Sequence, residues 1–412
     1  MKGNVIVGQS GGPTSVINSS LAGVFRTAKD RGANKVYGML NGVQGLLNEE
    51  VIDLSEYITT DLDLELLKRT PAAFLGSCRF KLPAIDGNKD LYDKLFSVLD
   101  KLEIEIFIYI GGNDSMDAIH KLSDYALMTG HKTRFVGCPK TIDNDLAITD
   151  HTPGFGSAAK YIGTSVKEII RDAQCLEFEQ GMVAIVEIMG RHAGWLTGAA
   201  ALATGEDCTG CDMIYLPEVA FDIDAFVDKC KELLKTKKSV VVAVSEGIKL
   251  ADGRFVCELG NTTDFVDAFG HKQLSGTASY LCSYISGELG VKARAIEFST
   301  LQRAAAHCQS RVDVLEAFAV AGAAVKAADE GLSGKMAVIT RVSDDPYQSG
   351  TDVYDVHLVA NKEKVVPREW INEAGDNVTQ DFVDYCMPLI QGEVPPIMVN
   401  GIPRHLFRDM TK

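Results

Sequence analysis

Short, nearly continuous apolar runs alternate with longer stretches of helical period along most of the chain. The runs at 3–8, 35–40, 105–110, 134–138, 182–188, 212–216, 239–245, 291–298 and 335–340 have the length and composition of buried strands. Residues 13–30, 89–102, a stretch opening at about Ser115, 156–172 and 313–330 read as helices, the first with Pro13 in its opening turn and Gly32 as its stop. Strands alternating with helices predict βαβ units, and hence an α/β fold with mainly parallel sheets. Past residue 340 the pattern changes: Pro-Arg-Glu-Trp370, a polar patch at 373–379 and a Pro-rich tail read as a hairpin and helix extension with little legible chemistry.

Composition narrows the class. With 412 residues, 46% hydrophobic and 24% charged, the chain can bury a large core divided among two or three domains. A net charge of −15 argues against nucleic acid as the main partner, so anionic substrates would need a local cluster of Lys and Arg. No apolar run approaches the roughly 20 residues of a membrane span. The residues after Met1 lead straight into a strand, so no signal peptide is expected. Ten scattered cysteines suit a reducing cytoplasm. The one close pair, Cys208-Thr-Gly-Cys211, has neither a second pair nor histidines nearby, which disfavours a metal or redox centre there.

Open parallel sheets bind ligands at the carboxyl ends of their strands, and the residues with chemical potential recur there. Gln9-Ser-Gly11-Gly12-Pro-Thr14 follows the first strand; a Gly-Gly turn before a helix can cradle phosphate, or can be no more than a tight connection. The run 105–110 ends in Gly111-Gly112-Asn113-Asp114-Ser115, small residues that offer backbone N–H groups to a phosphate. The run 134–138 ends in Pro139-Lys140-Thr141-Ile142-Asp143-Asn144-Asp145. Two carboxylates beside an ammonium suit a base working near phosphates or a holder of Mg²⁺. Phe74-Leu-Gly-Ser-Cys-Arg79-Phe-Lys81 puts two cations after a Gly-Ser turn, a solvated loop end unless context says otherwise. Met189-Gly190-Arg191 places an arginine that can fork onto a phosphate or sugar, while His192 reads as packed or satisfied. Glu246-Gly247 offers an acceptor for sugar hydroxyls, and Arg294 and Ser299-Thr300-Leu-Gln-Arg303 follow. The whole reads as a phosphoryl-transfer site.

These motifs, in this order and register over about residues 3–330, resemble the phosphofructokinases, and within them the pyrophosphate-dependent branch. ATP-using members usually carry Gly where Asp114 and Lys140 stand here. The resemblance implies two Rossmann-like lobes facing a shared cleft, and reversible phosphoryl transfer from pyrophosphate to the 1-hydroxyl of fructose 6-phosphate, a step of glycolysis and gluconeogenesis. It implies donor contacts from Gly11, Gly12, Arg79, Lys81 and Ser115, with Lys140 and Asp114 beside the pyrophosphate. Asp143 would take the hydroxyl proton. Thr141, Met189, Gly190, Arg191, Glu246, Arg294, Thr300 and Arg303 would hold the sugar phosphate, Arg294 across a subunit interface. Mg²⁺ would sit at Asn113 and Asp114. Three residues depart from the family pattern: Asn113 replaces a metal-binding Asp, Thr300 a His or Tyr, and Met182 an arginine that some ATP-dependent members carry.

The expected division is a donor-binding lobe at 1–150, a sugar-phosphate-binding lobe at 151–301, a returning helix and strand at 302–340, and a C-terminal extension at 341–412. The expected assembly is a cytoplasmic homodimer or homotetramer with sites shared between subunits. Other readings are the same reaction with ATP as donor, a lipid or NAD kinase built on the Gly-Gly-Asn-Asp loop, and a non-catalytic sugar-phosphate-binding paralogue. A further one is an α/β domain whose acids lie at solvated loop ends.

Overall fold

Strand residues that are apolar at every position must be covered on both faces, and the two faces of the first sheet divide by parity. Val5 and Val7, Ile106, Ile108 and Ile110, Val136 and Cys138, and Ala337 and Ile339 join one core, with helices Ile17–Asp30 and Arg311–Asp329 over them. Ile6, Phe107, Tyr109, Phe135, Met336 and Val338 join the opposite core, under helices Gly42–Leu47, Lys89–Lys101 and Asn113–Thr129. The computed structural model describes residues 1, 3–260, 274–360 and 362–409. It divides into one unit of Met1–Ser157, Arg303–Glu363 and Gln391–Lys412, and another of Ala158–Gln302 and Lys364–Ile390.

In the first unit, seven strands among the described residues form one sheet. They are β1 (Asn4–Gln9), β2 (Val36–Met39), β3 (Val51–Asp53), β4 (Ile104–Gly111), β5 (Arg134–Pro139) and, from the returning chain, the hairpin strands Lys335–Asp344 and Tyr347–Asp355. The spatial order is hairpin, β5, β4, β1, β2, β3; only the hairpin and the β2–β3 pair are antiparallel. The second unit holds β6 (Met182–Ile188), β7 (Met213–Tyr215), β8 (Ser239–Ser245) and β9 (Lys292–Glu297) in the order β7-β8-β6-β9, all parallel. The α/β class with mainly parallel sheets is what the alternation implied. The C-terminal stretch is not one body: 341–363 and 391–412 complete the first unit, and 364–390 belongs to the second.

Several local expectations shift. The first helix opens at Ile17 rather than Pro13, because residues 13–16 form a turn in which the Val16 N–H donates to Thr14 Oγ1 at 3.2 Å. The Gly-rich stretch Asn41-Gly-Val-Gln-Gly45, which reads in the sequence as a loop after the second strand, is mostly helix, Gly42–Leu47, since Val43, Leu46 and Leu47 bury one helical face. The helix expected from about Ser115 opens at Asn113, which brings Asn113 and Asp114 into its first turn. Helices Asp61–Arg69, Ile223–Leu233 and Thr277–Leu289 were not legible in the pattern. No described helix is long and apolar enough to cross a membrane.

Helices Ile17–Asp30 and Arg311–Asp329 meet through glycines. A Cβ on Gly23 would lie 2.3 Å from the Phe318 carbonyl oxygen, and one on Gly322 would lie 2.8 Å from Thr27 Oγ1. The first contact is with backbone and cannot rotate away. Gly23→Ala therefore costs about 1–3 kcal/mol of overpacking, only partly offset by about 1 kcal/mol of better helix propensity. The expected result is a thermal midpoint lowered by a few degrees, at about 2–4 °C per kcal/mol. A midpoint at or above that of the unaltered chain would contradict this close approach.

Candidate active site

Three parallel strands end level. β1 and β4 pair up to Gln9 and Ile110, and β4 and β5 up to Gly111 and Pro139. The Ser10 N–H donates to the Ile110 carbonyl and the Lys140 N–H to that of Gly111, both at 3.0 Å. The loops that follow are thus forced together at the carboxyl edge of the sheet. Gly11 takes φ +75°, and its N–H donates to the Cys78 carbonyl at 3.2 Å while Ser77 Oγ donates to the Gly11 carbonyl at 2.6 Å. The Phe74–Lys81 stretch is therefore pinned against Gly11, with Arg79 and Lys81 exposed at its end.

Lys140 lies at the centre of this group. It is 2% exposed, and its Nζ donates to the Gly12 carbonyl at 2.7 Å. Burial is the main influence that lowers its pKa, to about 8; the Asp143 and Asp145 charges oppose this, while Arg303 and Arg79 reinforce it. Arg303 belongs to the first unit, close enough that its Nη1 would lie 3.4 Å from a Cβ on Gly12. Asn113 and Asp114 open a helix of 17 residues, whose first N–H groups lack intrahelical partners and so favour an anion. The buried Oδ1 of Asn113 has no hydrogen-bond partner. The half-exposed Asp114 carboxylate faces Lys81 Nζ at 3.8 Å. Ser115 is buried, and its hydroxyl packs beneath Gly111, which leaves no room there for a Cβ.

Asp143 is the acid with a base's environment. Burial raises its pKa, and the Thr141 hydroxyl, Lys140 and Arg303 restrain the rise. Thr141 Oγ1 lies 3.2 Å from its carboxylate and accepts its N–H at 3.0 Å. Asp145 is raised to about 7 by burial and then by the Asp143 charge. The loop that carries these acids is held by its far end. Asp313 accepts from the N–H groups of Gly154 and Ser157 at 2.9 and 2.8 Å. His151 lies between Asp150 at 3.2 Å and Glu316 at 2.6 Å. Burial alone would lower the His151 pKa, but the two carboxylates outweigh it and lift it to about 9.

A second group forms at the carboxyl ends of β6 and β8. Gly190 takes φ +146°, with its N–H toward Glu246 Oε1 at 3.5 Å; the Ser245 hydroxyl donates to its carbonyl. A Cβ on Gly247 would lie 2.2 Å from the Arg191 carbonyl oxygen, so the two loops can meet only there as glycine. Arg191 and Glu246 are half-buried, and His192 is exposed but not without a partner, so of its two expected conditions it meets the satisfied one and not the packed one.

Two expected members stand elsewhere in this unit. Arg294 is in register with Ala184 and donates to Asp172 at 3.0 Å. It therefore lies five residues, roughly 16 Å of strand, short of Met189. Thr300 is exposed in the turn after β9. Sequence reasoning missed Gln302, which accepts the Met189 N–H at 3.2 Å and donates to the Ser299 carbonyl at 2.9 Å. It also missed Glu363, whose charge raises both Asp143 and Asp145. Gln302 is adjacent to Arg303 and could have been suspected; nothing near Glu363 signalled it. Cys208 and Cys211 are buried free thiols.

The chain is similar to several known proteins over nearly its whole length. The pyrophosphate–fructose 6-phosphate 1-phosphotransferase of Halomonas elongata is 41% identical over 403 residues, covering 97% of this chain and 95% of its own. That of Xanthomonas campestris is 42% identical over 405 residues, with 98% and 96% covered. The crystal structure of a pyrophosphate-dependent phosphofructokinase from Nitrosospira multiformis is similar at a TM-score of 0.88 and 36% identity, covering 98% of this chain and 95% of that one. The phosphofructokinase family pattern matches residues 4–328, and the chain belongs to that family.

Proposed function

We propose that this chain moves a phosphoryl group reversibly from pyrophosphate to the 1-hydroxyl of fructose 6-phosphate, giving fructose 1,6-bisphosphate and phosphate. The observation that carries the choice of donor is the pair Asp114 and Lys140 in the loops after the neighbouring strands β4 and β5: Lys140 Nζ bonds to the Gly12 carbonyl at 2.7 Å, and the Asp114 carboxylate faces Lys81 Nζ at 3.8 Å. The names of the relatives that match nearly the whole chain support the same reading. Pyrophosphate is short and highly charged. A buried ammonium reinforced by Arg79 and Arg303 supplies the cation it needs, and the Asp114 carboxylate occupies space that a nucleotide's next phosphate would take.

Asp143 accepts the proton of the sugar 1-hydroxyl as the oxygen attacks the nearer phosphorus; the bridging P–O bond breaks and phosphate leaves. Its raised pKa suits a base at neutral pH. Met189, Gly190, Arg191, Glu246 and Arg303 bind the sugar phosphate. Mg²⁺ suits Asn113 and Asp114: one donor is a buried amide oxygen without a partner, the other a carboxylate, and hard cations take oxygen ligands. When bound it would neutralise charge on the pyrophosphate. Arg294, too far along β9 from its own chain's Met189, serves the sugar phosphate of a neighbouring subunit.

Asp143→Asn is expected to lower kcat by roughly 10²–10⁴ with little change in KM. Arg294→Ala alone should also be nearly inactive. Refolding the two together should restore activity, since a mixed dimer has one site free of both defects. Normal turnover in folded Asp143→Asn protein would remove that residue from the role of base. Silence of verified mixed oligomers would confine Arg294 to its own chain.

For the donor, Asp114→Gly should admit ATP as a slow donor by relieving a like-charge repulsion of about 1–4 kcal/mol at this half-exposed site. Lys140→Gly should damage pyrophosphate use, and the double variant should shift kcat/KM furthest toward ATP. A donor competition assay decides it: an unchanged preference in the Asp114→Gly protein would show that this carboxylate is not the gate.

The buried ammonium also predicts a pH dependence. Lys140 is charged below its pKa of about 8 and neutral above it. Hence kcat/KM for pyrophosphate should fall as pH rises through that value. The corresponding limb in kcat should lie higher, because bound pyrophosphate stabilises the charged form. A kcat/KM profile flat to about one unit past that pH would refute it.

A further inference from the structure

Well down helix Asn113–Thr129 from its phosphate-facing start, the first unit carries a cluster that the proposed reaction does not use. His120 and Asp124, one turn apart on that helix, meet His357 from the segment that follows the C-terminal hairpin. His120 Nε2 lies 3.1 Å from Asp124 Oδ2, and His357 Nε2 lies 3.8 Å from Asp124 Oδ1. The two imidazole rings are 3.8 Å apart between centroids, tilted by 54°. One ligand atom from each of the three residues falls within 4.8 Å of the others.

We propose that His120, Asp124 and His357 bind a divalent transition-metal ion of the Zn²⁺ class, with the remaining coordination position open to water. Two imidazoles and a carboxylate are a donor set such ions favour and Mg²⁺ does not. Ligands about 2.0–2.1 Å from a tetrahedral ion stand roughly 3.4 Å apart. The widest gap here must therefore close by roughly 1.5 Å, which partly exposed side chains can do by small rotations. Their side chains are 30%, 43% and 50% exposed, so an ion can also reach them.

The outer partner is already in place. The Nδ1 position of His357 is bonded to Asp355 Oδ1 at 2.6 Å. With the proton on Nδ1, Nε2 is left as the free base turned toward Asp124, which is the tautomer a metal requires. Asp355 is itself fixed: Oδ1 accepts the His357 N–H at 3.0 Å and Oδ2 meets Lys335 Nζ at 3.1 Å. A surface pair formed only by attraction between histidine and carboxylate needs no second imidazole against the first. One ion between the two rings uses a lone pair from each. Bound metal would staple the helix that bears Asn113 and Asp114 to the segment after the hairpin.

The test uses full-length protein stripped with a chelator and titrated calorimetrically with Zn²⁺, and separately with Co²⁺ followed by its visible absorption. One ion per chain is expected, together with a rise in thermal midpoint that Mg²⁺ does not reproduce. His120→Gln and His357→Ala should each abolish that binding event and that rise while leaving the metal-free midpoint unchanged. Asp355→Asn should weaken binding by about 10–100-fold. Absence of Zn²⁺ binding, or undiminished binding in both histidine variants, would overturn the proposal; the second result would send the ion to the buried thiols of Cys208 and Cys211.

Discussion

The bond from Lys140 to the Gly12 carbonyl is the interaction on which the rest of the first unit's site depends. It places a positive charge where little water reaches it, and that charge must be matched from the protein side. The match comes from Asp143 and Asp145, three and five residues further on in the same loop. The same proximity that holds Lys140 charged restrains the rise of Asp143, while burial first, and Glu363 after it, raises both acids, and the Asp143 charge adds to the rise of Asp145. One ammonium and two carboxylates in a shared low-dielectric pocket therefore influence one another's protonation.

Such a balance holds only if the backbone is rigid, which explains how much structure stands behind residues 141–154. Asp313 fastens the end of the loop through two backbone N–H groups, and His151 is gripped by Asp150 and Glu316. Arg341 in turn bonds to Asp150 through Nε at 3.0 Å, and the Tyr347 hydroxyl donates to Glu316 at 2.7 Å. Breaking any one partner of this buried set leaves an uncompensated charge, which is far costlier than its presence is stabilising. The returning helix and hairpin thus act as a brace for the loop that bears Asp143, although none of their residues touches it in sequence.

What was legible in the chain follows from the same physics. Strand ends were legible because an apolar run that stops in Gly, Pro or an acid marks both the strand and its loop. Gly111 to Asp114 and Lys140 to Asp143 could be read without any long-range information. The order in which strands meet was not, because pairing β1 beside β4 depends on contacts a hundred residues apart. Helices Asp61–Arg69 and Ile223–Leu233 were missed since their amphipathic stripes are short and heavily charged. The position of Arg303 within the first unit, and the service of Gln302 to Met189, arise where the chain crosses between units within one residue. No local pattern could announce that.

Charge explains why the cations must be so concentrated. A chain with net charge −15 repels a polyanion at long range. Screening at physiological ionic strength cuts that repulsion off beyond about 8 Å, so the last few ångströms are decided by the residues at the strand ends. There Arg79, Lys81, Lys140 and Arg303 gather around two glycine loops whose N–H groups add partial positive charge without adding bulk. Burying one of those cations sharpens the preference further, since a desolvated ammonium gains more from a small, dense anion than a hydrated one does. The cost of holding Lys140 charged out of water is then offset most fully by the most highly charged ligand that fits, which is the physical case for pyrophosphate over a larger donor whose charge is spread along a nucleotide.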